Sequence, residues 1–137
     1  MRRLVLLPVL LLVVAAVTAS GVMAAPSSPF TGAWMGHDPA PPDGDGSTLY
    51  LEISGGSSPR ISFTDLYGSI CVNSDAPTAV FSSTLTGSVS GDHLEAAFTS
   101  ARCGRVWFDW LVGEVAMYHY DEATDTLSDG FVTFHRR

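Results

Sequence analysis

The sequence predicts an all-β protein: an antiparallel up-and-down meander closed into a small barrel of seven or eight strands and tied by one disulfide. Three observations predict this fold. Apolar and polar residues alternate with a period of two, turn-forming residues separate the alternating runs, and no stretch carries an apolar stripe of helical period over three turns. An open sheet of about eight strands would leave two edges unpaired, and closure into a barrel removes them.

The N-terminus has the three parts of a secretory signal peptide. It begins with basic residues, continues in an apolar run from Leu4 to Val17, and ends in small residues before a cleavage point that we place between Ala24 and Ala25. An uncleaved membrane anchor is the alternative, because residues 4–25 are long enough to cross a bilayer as a helix. We expect cleavage and therefore a secreted protein with no stable membrane span.

Removal of residues 1–24 leaves a short linker over residues 25–29 and a single barrel domain over residues 30–137. The strands of that domain are predicted from alternating runs and from runs rich in β-branched and aromatic residues. In chain order they lie at 30–34, 49–53, 61–63, 78–89, 94–98, 106–111, 115–120 and 131–135, with a further extended segment at Leu127.

Turn chemistry separates these strands. Residues 39–46 and 55–59 are rich in proline and glycine and predict loops. Ser90-Gly91-Asp92 predicts a tight hairpin, and residues 121–125 predict a longer hairpin loop. Residues 65–68 permit two interpretations: a hairpin turn, or a bulge in one long strand over residues 60–72.

Cys71 and Cys103 are the only two cysteines of the chain. In an exported protein this even count predicts a disulfide, and closing a loop of about 33 residues contributes roughly 3.5 kcal/mol by chain-entropy reasoning. Two buried free thiols or two metal ligands are the alternatives. In a meander with the bulged strand both cysteines lie at the same end of the barrel, so a disulfide favours the bulge over the hairpin.

The charge of the chain excludes several functions. It holds 14 acidic residues and seven arginines, of which five lie in the exported part, and it contains no lysine. A strongly acidic surface repels nucleic acid and anionic membranes. Without lysine, Schiff-base catalysis and a pyridoxal-phosphate anchor are impossible. We therefore expect no nucleic-acid partner and no cofactor.

The first strand contains the motif Gly32-Ala33-Trp34. This motif resembles the start of lipocalins and avidin-type barrels, and the resemblance implies that Trp34 packs across one end of a barrel. The chain also resembles a recurring type of small secreted bacterial protein through Trp34, the Asp-Gly loop at 43–46 and the hairpin at 120–127. None of the biotin-contacting positions of the avidins can be matched, so biotin binding is not implied.

Candidate metal ligands occur in two places. Asp38, Asp43 and Asp45 offer oxygen ligands on a flexible loop, as calcium requires, but their spacing does not fit the EF-hand pattern. We interpret them as residues of a solvated turn and predict no metal there. The motifs His93-x-Glu95 and His119-x-Asp121 each place two potential ligands on one strand face, but a zinc site needs at least three such groups to converge.

The function predicted is noncatalytic binding, because no hydrolase signature is present. In one mechanism a small apolar ligand enters the barrel between Trp34, Phe63, Phe81 and Phe98. In the other, exposed aromatic residues bind a protein or a glycan, with Trp107, Trp110, Tyr118 and Tyr120 as candidates. The spacing of Trp107 and Trp110 predicts opposite faces, with one ring inside the barrel. A secreted enzyme inhibitor or adhesion module is the alternative, and a small metal-dependent hydrolase is less favoured.

Overall fold

The structure is a computed structural model that describes residues 27–137. The predicted signal peptide lies outside the described residues. Within them, no helix has the length and apolar character that a membrane crossing requires. The strands are β1 (Gly32–His37), β2 (Thr48–Ser54), β3 (Arg60–Asp65), β4 (Phe81–Ser90), β5 (His93–Cys103), β6 (Val106–Trp107), β7 (Val115–Asp121), β8 (Thr126–Ser128) and β9 (Thr133–Arg136), with one short helix, α1 (Ser69–Val72), and a 3₁₀ turn at Asp109–Leu111.

Eight strands form a closed antiparallel barrel, which confirms the predicted fold class. Each strand pairs with the next along the chain, except that β5 pairs with β7 and β6 is added beside the end of β5. The barrel closes where β1 pairs with β9, with Trp34 opposite Arg136 and Gly36 opposite Phe134. Gly36 has to be glycine, because a Cβ there would lie 2.5 Å from a methyl group of Val132.

Side chains fill the interior of the barrel. The indole of Trp34 is 0 % exposed, and its Nε1 donates a hydrogen bond of 2.8 Å to the carbonyl oxygen of Phe30. The buried side chains around it form one cluster: Phe30, Leu49, Leu51, Ile53, Ile61, Leu85, Leu94, Ala96, Tyr118, Leu127, Val132 and Phe134. A second cluster joins Phe81, Ala101 and Phe108 to the two cysteines.

The predicted disulfide is present: Cys71 and Cys103 are bonded, with their Cα atoms 5.5 Å apart. The prediction for the segment that precedes Cys71 is wrong, because residues 65–68 form neither a hairpin nor a bulge. Strand β3 ends at Asp65, whose carboxylate accepts hydrogen bonds from the backbone N–H of Tyr67 and the hydroxyl of Ser47. The chain then forms α1, which carries Cys71 to the end of β5.

Three predicted strands are shorter than their sequence patterns. The strand predicted over residues 78–89 begins at Phe81. The run 106–111 forms a strand only at Val106–Trp107, and a 3₁₀ segment follows at Asp109–Leu111. Phe108, which lies between the two, is buried. The last strand begins at Thr133, not at Phe131, whose side chain is 86 % exposed. The hairpins at Gly91-Asp92 and at residues 122–125 are confirmed.

Arg136 closes the seam between β9 and the start of the domain. Its guanidinium donates to the carbonyl oxygens of Pro29 and Thr31 and to both carboxylate oxygens of Asp125, at 2.8–3.2 Å. It also lies 4.0 Å from the centre of the Trp34 ring. One cation therefore connects the N-terminal segment, β1 and the β7–β8 loop.

The Asp125–Arg136 pair predicts a loss of stability in acid. The hydrogen bond from Arg136 lowers the pKa of Asp125, so the carboxylate stabilises the fold above its unfolded pKa of about 3.9. This contribution disappears as the pH falls through the lowered folded value. Urea unfolding should show that Asp125→Asn costs stability at pH 7 and that variant and parent converge at strongly acidic pH. A difference that persists unchanged into acid would show that ionic pairing is not its cause.

Candidate functional site

The four residues predicted to line an interior ligand site lie within the packed clusters. Trp34 and Phe81 are buried, and Phe63 and Phe98 are half-buried and pack against both clusters. The rings of Phe63 and Phe81 meet edge to face with their centres 6.0 Å apart. The space between these residues is thus filled by their own side chains.

The four aromatic residues predicted for surface binding divide into two pairs. Trp107 and Trp110 are 56 % and 67 % exposed, so the prediction that one of them fills the interior is wrong. The period-two argument fails because the strand ends at Trp107. Tyr118 and Tyr120 face inward instead: Tyr118 packs on Phe134, and Tyr120 packs on Phe30 and Trp34. Burial raises the pKa of Tyr118.

An outward row of side chains crosses five strands. Strand register places Tyr50 of β2 opposite Thr64, Thr64 opposite Ser82, Ser82 opposite Arg102, and Arg102 opposite Trp107 of β6. Neighbouring strands lie about 4.8 Å apart, so the row spans roughly 19 Å from one aromatic residue to the other. Two aromatic rings therefore stand at the ends of a polar strip.

Further outward residues widen this strip into a surface that we call the hydroxyl face. It comprises Tyr50, Glu52, Ser54, Arg60, Ser62, Thr64, Ser82, Thr84, Thr86, Ser100, Arg102 and Trp107. Its hydroxyls are partly linked, since Thr84 Oγ1 lies 2.7 Å from Ser100 Oγ. Open grooves run over it, of about 710 Å³ beside Arg60, about 420 Å³ beside Trp107 and about 290 Å³ beside Tyr50.

Arginines stand beside both terminal aromatic rings of the hydroxyl face. The guanidinium of Arg102 lies 5.3 Å from the centre of the Trp107 ring, and that of Arg137 lies 4.9 Å from the Tyr50 ring. Arg137 also approaches the carboxylate of Glu52, with Nη2 and Oε1 3.6 Å apart. With Arg60, three arginines and one carboxylate lie on or beside the hydroxyl face. The described residues as a whole hold five arginines and 14 acidic residues.

The Asp-rich loop between β1 and β2 carries Asp43 and Asp45, and Asp38 lies at its start. Asp45 Oδ1 accepts the backbone N–H of Ser47 at 2.9 Å, and Asp43 is exposed. Burial, followed by the nearby Asp45 carboxylate, raises the pKa of Asp38. Of the three residues, Asp45 therefore makes a local backbone contact typical of a turn-forming aspartate.

Register brings two of the predicted histidine motifs together. His93 of β5 is the direct cross-strand partner of His119 of β7, and Asp92 of the β4–β5 hairpin contacts both rings. The hydrogen bond with His93 lowers the pKa of Asp92. Both histidines are recognisable from their His-x-acid motifs, whereas the sequence around Asp92 predicts only a turn.

A scan against protein-family models, a search of curated proteins and a search of solved structures each returned no match to this chain.

Proposed function

We propose that this protein is a secreted, noncatalytic binding module that holds an anionic polysaccharide on the hydroxyl face. The observation that carries the proposal is the row from Tyr50 to Trp107, in which an arginine stands beside each terminal aromatic ring. Sugars present apolar ring faces, hydroxyl groups and, in acidic polysaccharides, carboxylates. The hydroxyl face offers a matching group for each of these.

The charge distribution selects an anionic ligand. Arg60 and Arg102 are exposed on the hydroxyl face. The charge of Arg137 is partly neutralised by the nearby carboxylate of Glu52. Guanidinium groups bind carboxylates through paired, charge-assisted hydrogen bonds. A positive surface on an otherwise acidic protein also orients an anionic chain toward this face and away from the rest of the molecule.

The aromatic residues supply binding area at low entropic cost. Trp and Tyr have two side-chain torsions, so ordering them on binding costs little, and both are enriched among residues that dominate binding energy. More than half of Trp107 remains accessible although Arg102 stands beside its ring. Because side chains pack the inside of the barrel, binding on the hydroxyl face is favoured over binding inside the barrel.

Replacement of Trp107 tests the proposal. We expect Trp107→Ala to weaken binding to polygalacturonate by roughly tenfold, equivalent to about 1.4 kcal/mol, because a stacking platform is lost. Affinity electrophoresis in gels containing polygalacturonate measures the effect, with dextran as the neutral comparison. Added salt should weaken the interaction of the parent, since it screens arginine–carboxylate attraction.

Trp110→Ala is the matched control, because Trp110 is equally aromatic and exposed but lies outside the hydroxyl face. It should retain polygalacturonate binding. Retention of binding by Trp107→Ala, or equal migration in polygalacturonate and dextran, would contradict the proposal.

A protein partner is the second candidate, and a different surface favours it. Trp110, Val112, Val115 and Met117 are exposed apolar side chains on and just before β7. Exposed apolar groups in one region are typical of protein-docking surfaces. Capture of a secreted protein that is lost in Trp110→Ala and kept in Trp107→Ala would favour this candidate.

A further inference from the structure

We propose that Asp92, His93 and His119 form a binding site for a divalent transition-metal ion of the zinc type. Each of these three side chains offers one potential ligand atom, and the three atoms lie within 4.8 Å of one another. The site lies at the β4–β5 hairpin and β7, and it is independent of the hydroxyl face.

The backbone brings the two imidazoles together. His93 and His119 are direct cross-strand partners, and such partners have Cβ atoms about 4.5–5.5 Å apart. Their rings are inclined at 58° with centres 5.0 Å apart, so they are not stacked. A nitrogen of each ring and a carboxylate oxygen of Asp92 lie within 4.8 Å of one another. A pair of neighbouring strands in a closed barrel holds this spacing rigidly.

Asp92 completes the set from the adjoining turn. Its Oδ1 lies 2.6 Å from Nδ1 of His93, and its Oδ2 lies 3.4 Å from Nδ1 of His119. A tetrahedral zinc ion with bonds of about 2.0–2.1 Å separates its ligand atoms by roughly 3.3 Å. A small rotation of the exposed Asp92 carboxylate therefore makes room for the ion between the three atoms.

The ligand types select the metal. Imidazole nitrogen suits zinc, copper and nickel, whereas calcium and magnesium prefer an all-oxygen shell. Three protein ligands leave one position of a tetrahedral ion open. A groove of about 790 Å³ adjoins the proposed site, lined by Asp121 and Glu122 as well as Asp92 and His119, and these carboxylates attract a cation.

Titration of tag-free purified protein with ZnCl₂ tests the site, because a histidine tag would bind the ion itself. Isothermal calorimetry should show one zinc ion per chain, and CoCl₂ should produce the intense visible absorption of a tetrahedral cobalt site. Since even indirect partners of metal ligands affect affinity by about 10–100-fold, His93→Ala and His119→Ala should each weaken zinc binding by roughly tenfold or more.

His37→Ala and His135→Ala are the matched controls, since both histidines are exposed and lie on β1 and β9. They should bind zinc like the parent. Circular dichroism establishes that each variant is folded, and exposed substitutions at these positions should leave the fold intact. Zinc affinity unchanged in His93→Ala and His119→Ala, equal losses in the controls, or tighter binding of Ca²⁺ than of Zn²⁺ would each overturn the proposal.

Discussion

Replacement of both cysteines, as Cys71→Ala with Cys103→Ala, is expected to lower the free energy of unfolding by about 3.5 kcal/mol. The bond joins residues 32 positions apart, so its loss restores the conformational freedom of a long loop in the unfolded chain. A domain of this size has a total stability of about 5–15 kcal/mol, so this is a large share. Urea unfolding followed by circular dichroism measures it.

Alanine is the appropriate replacement because both cysteines are buried among Phe81, Ala101 and Phe108, where a serine hydroxyl would add a desolvation cost. Reduced parent protein is the control: treated with dithiothreitol, it should unfold at the same urea concentration as the double variant. Neutral surface substitutions change the free energy of unfolding by about 0.5 kcal/mol. A double variant whose free energy of unfolding lies within about that amount of the oxidised parent would contradict the prediction.

Trp34→Ala is expected to destabilise the barrel by about 3–5 kcal/mol. The substitution empties the centre of the larger core cluster and removes the Nε1 donor from the carbonyl oxygen of Phe30. It also removes the aromatic ring that contacts the guanidinium of Arg136. That contact lies where β1 pairs with β9 and the barrel closes. Loss of packing and loss of closure therefore occur at one position.

Trp34→Phe separates these effects, because it keeps an aromatic ring but not the donor, and it should cost less than Trp34→Ala. Trp107→Ala is the matched surface control and should change stability by no more than about 0.5 kcal/mol. Unfolding in urea, followed by far-ultraviolet circular dichroism because the variants lose indole fluorescence, gives all three values. Equal costs for Trp34→Ala and Trp107→Ala would contradict the burial of Trp34 in solution.

The barrel could be predicted from the sequence because its strands alternate strongly and its hairpins carry turn residues. The Leu49–Ile53 run and the hairpin at Gly91-Asp92 each specify their own conformation through local chemistry. The disulfide followed from the even count of cysteines together with the predicted export. Each of these inferences needed no more than neighbouring residues and a general rule.

The predictions that failed are those in which tertiary contacts overrode local pattern. Residues 65–68 were predicted to form a hairpin turn or a bulge in a long strand, but β3 ends at Asp65, whose carboxylate accepts hydrogen bonds from Ser47 and Tyr67. Trp107 and Trp110 have a spacing that predicts opposite faces, but the strand between them ends. Tyr118 and Tyr120 share a face as predicted, and closure of the barrel turns that face inward.

The sequence by itself determined the all-β class, the acidic charge and the pairing of two cysteines. Alternation, composition and the number of cysteines are properties of the sequence that do not depend on tertiary contacts. Tertiary structure alone decided that Tyr50 and Trp107 end one row and that Asp92, His93 and His119 converge. Those neighbours are set by strand register, and register depends on the packing of the whole barrel around Trp34.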